Sequence, residues 1–363
     1  MKQLLNILDT VPEFARLAAD LESGRSPVEV AGLSPVHRAH FAAGLLERLD
    51  VPVVLVCADE GECARLCADV TALTGVSAVA IAAREFLFHD GAVASRQWEH
   101  QRLAAFRAMA QGRARLIAAT VEGLLQRTLP PEELAAHVVE IRADGSYSLD
   151  ELAGRLASLG YTRCQQVEGV GQFALRGGIL DVFSPGADDP VRVEFWDRDV
   201  DSMGPFDVSS QRRVGRLDRA EFLPVSELLP VLDENGAWER LTDRQLPARY
   251  KTLATAAHHL PPEAVVCLSE SSRVAERGKN WLWQLGEDVK TLLESGGLDG
   301  RHAEFAAGMD DLMAALSDHA LCFLDSFPTS AAPLPPRDIL TAQGRQLSSF
   351  GASLDAAAAD LAQ

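Results

Sequence analysis

FALRGGILDVFSPGADDPVRVEFWDRDVDSMGPFD, residues 173–207, decides how this chain is divided. Val191, Val193 and Phe195 alternate with Arg192 and Glu194. That period of two belongs to a strand with one face packed and one face wet. The segment SPGADDP, residues 184–190, is made of turn-forming residues and separates this strand from the one before it. Outward from there, strands are expected over 162–167, 172–175, 178–183 and 191–195, after a helix over 149–159 that Gly160 ends.

The flanking sequence has another rhythm. VVLVCA, residues 53–58, is an unalternated apolar run, the signature of a strand buried on both faces of a parallel sheet. Asp59 is placed to cap a helix over 60–71, and strands at 78–82 and 115–119 alternate with a helix over 96–110. Thr120 opens a short helix ending near Leu125. After the insert, buried strands recur at 264–268 and 320–324, and SESSRV (269–274) reads as a strand-to-helix turn capped by serine. The βα repeat predicts an α/β fold whose parallel-sheet domain is split by a small, strand-rich α+β domain. The expected division is 1–126 for the first part, 127–212 for the insert, 213–345 for the second part, and 346–363 for a linker and alanine-rich helix of a truncated chain.

With 34 Lys and Arg against 52 Asp and Glu, the net charge of -18 argues against a whole-surface nucleic-acid footprint, though not against a local basic patch. The apolar content is 47% and no apolar run reaches the roughly 18 residues of a membrane span, so the sequence suits a cytoplasmic protein. The six cysteines read as structural free thiols: Cys63 and Cys67 lie four apart, but no second pair follows at zinc spacing.

An α/β nucleotide site needs a glycine-rich loop followed by lysine and a hydroxyl residue. The corresponding place holds AGLSPVHRAH, residues 31–40, with Gly32 but no GK[ST]. Asp59, Glu60 and Asp325 follow apolar strands and read as capping and turn residues. His89 and His100 do not read as a metal pair. The RGG of residues 176–178 stands apart, because paired glycines allow a sharp bend or close approach and Arg176 carries a multi-donor head. Arg163, Arg192, Arg198, Arg212 and Arg213 add positive charge. Two readings stay open: solvated arginines paired with Glu168, Asp181, Glu194 and Asp197, or a protein-docking face.

GGILDVFSPG with PVRVEFWDRDVDSMGPFDVSSQR (177–186 and 190–212) resembles a pattern shared by the repair protein UvrB and the N-terminal module of the bacterial transcription-repair coupling factor. GYTRCQQVEGVGQFALRGG, TVEGLLQR (120–127) and LPVSELLP (223–230) extend the resemblance. It implies a degenerate helicase-like (P-loop-type) domain around the insert. UvrB has a working phosphate loop and an aromatic-rich hairpin; neither is present between Gly32 and Gln126, so the resemblance favours the coupling factor. It implies no catalysis and no cofactor in this chain, ATP and Mg2+ belonging to a motor beyond it. The implied partner is UvrA, through Arg176, Arg163 and Phe183 of the insert. In the full-length protein the implied partners also include RNA polymerase, double-stranded DNA and its own C-terminal region. The alternative is a nucleic-acid-dependent ATPase fragment with residual nucleotide or DNA binding.

Overall fold

The computed structural model describes residues 2–88 and 96–343. His89 and the segment 346–363, with its expected alanine-rich helix, lie outside the described residues. The first part of the chain runs α1 (Lys2–Asn6), α2 (Pro12–Glu22), β1 (Val28–Ala31), α3 (Pro35–Arg48), β2 (Val53–Cys57), α4 (Glu60–Thr74), β3 (Ala78–Ile81), α5 (Gln97–Ala110), β4 (Leu116–Thr120), α6 (Val121–Leu125) and α7 (Pro131–Ala136). The insert follows as β5 (Val139–Arg142), α8 (Leu149–Ser158), β6 (Thr162–Arg163), β7 (Gln172–Arg176), β8 (Ile179–Val182), β9 (Val191–Trp196), β10 (Asp199–Pro205) and β11 (Arg219–Phe222). The return comprises β12 (Val231–Leu232), β13 (Trp238–Glu239), α9 (Leu246–Arg249), β14 (Val265–Ser269), α10 (Ser271–Glu294), α11 (Met309–Leu316), β15 (Ala320–Leu324) and β16 (Asp338–Thr341).

The large sheet has seven strands in the order β16-β1-β15-β14-β2-β4-β3. All its pairings are parallel. Successive side chains of a strand go to opposite faces. Val54 and Val56 of β2 therefore join Val266, Leu268 and Phe323 under the face that includes Phe106, Leu124 and Leu312. Val53, Leu55 and Cys57 join Cys267, Cys322 and Leu324 on the other face, with Phe14, Leu45 and Leu66. The fold is thus a mixed α/β one, a mostly parallel core sheet interrupted by a smaller sheet.

Local chemistry explains most of the boundaries. Asp59 caps α4 by accepting the Glu62 amide at 2.8 Å, and Thr120 caps α6 by accepting the Gly123 amide at 3.2 Å. The cap of α10 differs from expectation. No serine side chain caps it; the Asp325 carboxylate, from the end of neighbouring β15, accepts the Ser271 amide at 2.6 Å and the Ser271 hydroxyl at 2.9 Å. The expected strand 162–167 shortens to β6, because the Gln172 side-chain oxygen accepts the Glu168 and Gly169 amides and folds that stretch into a turn.

The small sheet is ordered β10-β9-β8-β7-β6, antiparallel except for the parallel pair β6–β7. Helix α8 covers one face, with Leu152 and Leu156 packed on Phe173, Leu180, Val182, Val193, Phe195 and Met203. β5 pairs antiparallel with β11, and Val139, Ile141, Ala220, Phe222 and Val225 share that core. Leu129 and Leu134 pack instead with the large core.

Helix α5 is the platform on which the insert sits. Arg102 donates to Glu227 Oε1 at 2.6 Å and to the carbonyls of Ala82 and Gly123 at 2.8 and 3.0 Å. Both side chains of this pair are 0% exposed. Arg107 grips the Glu221 carboxylate through two bonds of 2.9 and 3.0 Å. Burial alone would raise the Glu227 carboxyl, yet Arg102 and Arg84 hold it below the usual carboxylate range. A charge pair removed from water in this way fixes geometry more than it stabilises.

Candidate functional site

The face of the small sheet turned away from α8 carries Arg176 and Arg192. In register, Asp181 lies beside Arg192 and Ala174, and Ile179 lies beside Glu194 and Arg176. The residues that alternate with these, Leu175, Leu180, Val182 and Val193, pack toward α8. Asp181 is the centre of the arrangement. Its carboxylate, 1% exposed, accepts from Arg176 Nη2 at 2.7 Å and from Arg192 Nε and Nη2 at 2.7 and 2.8 Å.

Arg192 is held by three residues. Beyond Asp181 it donates to the Gln211 carbonyl at 3.1 Å and side chain at 3.2 Å, and it lies 4.4 Å over the Phe206 ring. Its bonds with Asp181 raise the guanidinium pKa further. At the next position of the face, Arg213 pairs with Glu194 at 3.3 Å and donates to Ser202 at 2.9 Å. Arg176 stays 44% exposed and keeps free donors beyond its bond to Asp181, as bidentate capture of a second carboxylate requires.

Phe183, one residue past β8, follows Asp181 in the alternation. It is half-buried and packs on the small cluster of Val167, Ala174 and Phe206 beside Cys164. Arg163 is exposed. Its register partner is Phe173, whose ring goes into the α8 core, whereas the next residue, Cys164, packs with Ala174 on the opposite side. Arg176 and Phe183 thus share a face, and strand alternation sets Arg163 on the other one at the sheet's edge. Asp181 organises the whole face. Its sequence signal is the matched alternation of ILDV and VRVEF, which sets an acid opposite an arginine once the strands pair.

The C-terminal edge of the large sheet is where an α/β fold would place a nucleotide site. Residues 32–34 link β1 to α3, and Gly32 has φ +89°. A Cβ there would lie 2.2 Å from the Ala342 carbonyl oxygen, just past the end of the parallel neighbour β16, so the chain beyond that strand packs directly on the loop. The Leu33 amide is already bonded to the Asp325 carbonyl at 3.0 Å. Arg38, on the first turn of α3, is buried and donates to Glu62 at 3.0 Å and Ser269 at 2.6 Å, beside Glu270 at 3.2 Å. Burial, with Glu29 and Glu270 close by, pushes the Asp325 carboxyl up to about 6. These residues do not fit a nucleotide phosphate. Among the described residues no cluster of three or more His, Cys, Asp or Glu is arranged to hold a metal ion, no helix is long and apolar enough to cross a membrane, and all six cysteines are free.

The family model for the UvrB interaction domain matches residues 139–228, the stretch that builds this small sheet and its return to α5. Over nearly the whole chain, 99%, the sequence is 24% identical to the transcription-repair-coupling factor of Bacillus subtilis, covering 34% of that protein. It is 33% identical to that of Myxococcus xanthus across 60% of this chain and 19% of the relative. It is 29% identical to that of Escherichia coli across 60% of this chain and 19% of the relative. The chain is homologous to the transcription-repair-coupling factors. It spans about a third or less of the length of these coupling factors. The coupling-factor homology covers both the large unit and the insert, and the interaction-domain match takes in the Arg176–Asp181–Arg192 network.

Proposed function

We propose that this chain is a non-catalytic recruitment module, in which the large α/β unit holds the inserted sheet and that sheet docks UvrA. The single observation behind this reading is the interaction-domain match at residues 139–228, on a sheet whose face opposite α8 is ordered around Asp181 and leaves Arg176 half-exposed. Arginines fixed before contact lose little side-chain entropy on binding, and charge-assisted bonds to a partner carboxylate add specificity. Arg176 is the proposed principal contact, Phe183 supports it from the same face, and Arg163 reaches the partner from the sheet edge. The proposed division of the chain is a degenerate helicase-like domain interrupted at 139–228.

In a full-length coupling factor, this module would bring UvrA to RNA polymerase stalled on damaged double-stranded DNA, in transcription-coupled nucleotide excision repair. ATP and Mg2+ would act in a translocase region outside this chain, and the C-terminal region would mask the docking face at rest. Co-elution of the chain with purified UvrA on a sizing column tests the reading: a shifted peak supports it and separate elution at moderate salt refutes it. Calorimetry with ATP and Mg2+ tests the alternative, since stoichiometric heat would indicate a nucleotide site despite the filled loop at Gly32.

A further inference from the structure

Trp196 is the most exposed large apolar residue among those described, 82% open at the end of β9. A single exposed apolar side chain is ordinary on a protein surface, but three features of its position are not. First, it lies on the docking face: Val193 and Phe195 go to the α8 core, so Arg192, Glu194 and Trp196 share the opposite side. Second, it stands beside an open step. Continuing the register of Ile179 with Glu194 by two residues sets Gly177 next to Trp196. Gly177 has φ +59°, and a Cβ there would meet nothing within 4 Å. Neither glycine of the turn offers a side chain to the indole, although the turn is close, with the Phe195 amide bonded to the Gly178 carbonyl at 2.8 Å.

Third, the hairpin tip that carries the indole is pinned. The Tyr147 amide donates to the Arg198 carbonyl at 2.7 Å, the Val200 amide donates to the Gly145 carbonyl at 3.1 Å, and Ser146 bridges Asp199. A rigidly mounted tryptophan near a half-exposed arginine has the composition of an interface anchor, since Trp and Arg dominate binding energy at docking surfaces. Two positions back along the same face, Glu194 is held by Arg213, and Arg176 keeps donors beyond its bond to Asp181.

We infer that Trp196 is the apolar anchor of the docking face, inserting into a recess on UvrA that is flanked by a carboxylate for Arg176. This inference rests on the UvrA-docking reading and goes beyond it by naming the anchor and the chemistry it meets. The test is calorimetric titration of purified UvrA with the wild-type chain and with Trp196→Ala, Trp196→Phe, Arg176→Ala and Trp283→Ala. Trp283 is exposed on α10 of the large unit and serves as the control. Thermal melts of each variant check folding, which Trp196 substitutions leave unchanged because the indole packs on little. The expected result is affinity weakened about thirtyfold by Trp196→Ala, largely recovered by Trp196→Phe, and unchanged by Trp283→Ala. Undiminished affinity of Trp196→Ala, with binding lost in Arg176→Ala, would overturn the anchor and leave UvrA docking standing. No binding by the wild-type chain would overturn the docking reading, and the anchor with it.

Discussion

Replacing Asp181 with alanine separates the structural from the binding role of the arginine face. Asp181 is 1% exposed and accepts three bonds of 2.7–2.8 Å from two guanidinium groups of unequal burial, Arg176 at 44% and Arg192 at 15% exposure. Exposed ion pairs contribute about 0.2–1 kcal/mol, so Arg176→Ala is expected to cost about 1 kcal/mol of folding stability or less. Breaking a buried pair costs about 3–5 kcal/mol because one charge is left uncompensated. Arg192 keeps Gln211 and the Phe206 ring after the loss of Asp181, which places Asp181→Ala near the lower end, about 3 kcal/mol. Urea unfolding of the three proteins at pH 7, followed by far-UV circular dichroism, measures the difference. Replacing the pair together, Asp181→Leu with Arg192→Met, should recover part of the loss, because no buried charge remains alone. Equal costs for Asp181→Ala and Arg176→Ala, or a cost below about 1 kcal/mol for Asp181→Ala, would refute the idea that a buried carboxylate organises this face.

Three further outcomes follow from other parts of the molecule. Glu227 is held below the usual carboxylate range by Arg102 and Arg84 against its burial. Its contribution is therefore present above the unfolded value near pH 4.3 and lost as pH falls through the lower folded value. Glu227→Ala, which strands the fully buried Arg102, should cost about 3–5 kcal/mol at pH 7 in the same urea assay. Burial lowers the His259 pKa to about 4 while its Nε2–H donates to the Leu129 carbonyl at 2.9 Å. The unfolded chain binds that proton more readily, so about 3 kcal/mol of stability should vanish as pH falls from 6.5 to 4, and His259→Gln should flatten that slope. Gly32→Ala forces a side chain against the Ala342 carbonyl at positive φ; a loss above about 1 kcal/mol in thermal unfolding is expected, and no loss would mean the strand end is not seated over the loop.

The parts of the fold that were legible in the sequence are those with a clean period. VVLVC, VVCL and ALCFL are apolar throughout because both faces of the large sheet are covered. The insert's β9 alternates because one of its faces packs on α8 and the other is only partly covered. The missed strands carry charge where burial hides it. β1 reads VEVA because Glu29 is fully buried and accepts the Thr329 amide at 3.0 Å, and β11 reads RAEF because Glu221 is committed to Arg107 across the joint with α5. Such partners lie more than a hundred residues away, beyond the reach of local pattern. The same limit applied at the site. Arg176 was visible from its RGG turn, but the common hold of Asp181 on Arg176 and Arg192 needs the strand register, and the cap of Ser271 by Asp325 needs the neighbouring strand.

Titrating purified UvrA with the wild-type chain and with Arg176→Ala, under salt that screens weak surface attraction, tests the recruitment role most directly. Saturable binding by the wild type, lost or weakened by about two orders of magnitude in the variant, is the predicted result. Identical affinities for the two proteins would contradict it.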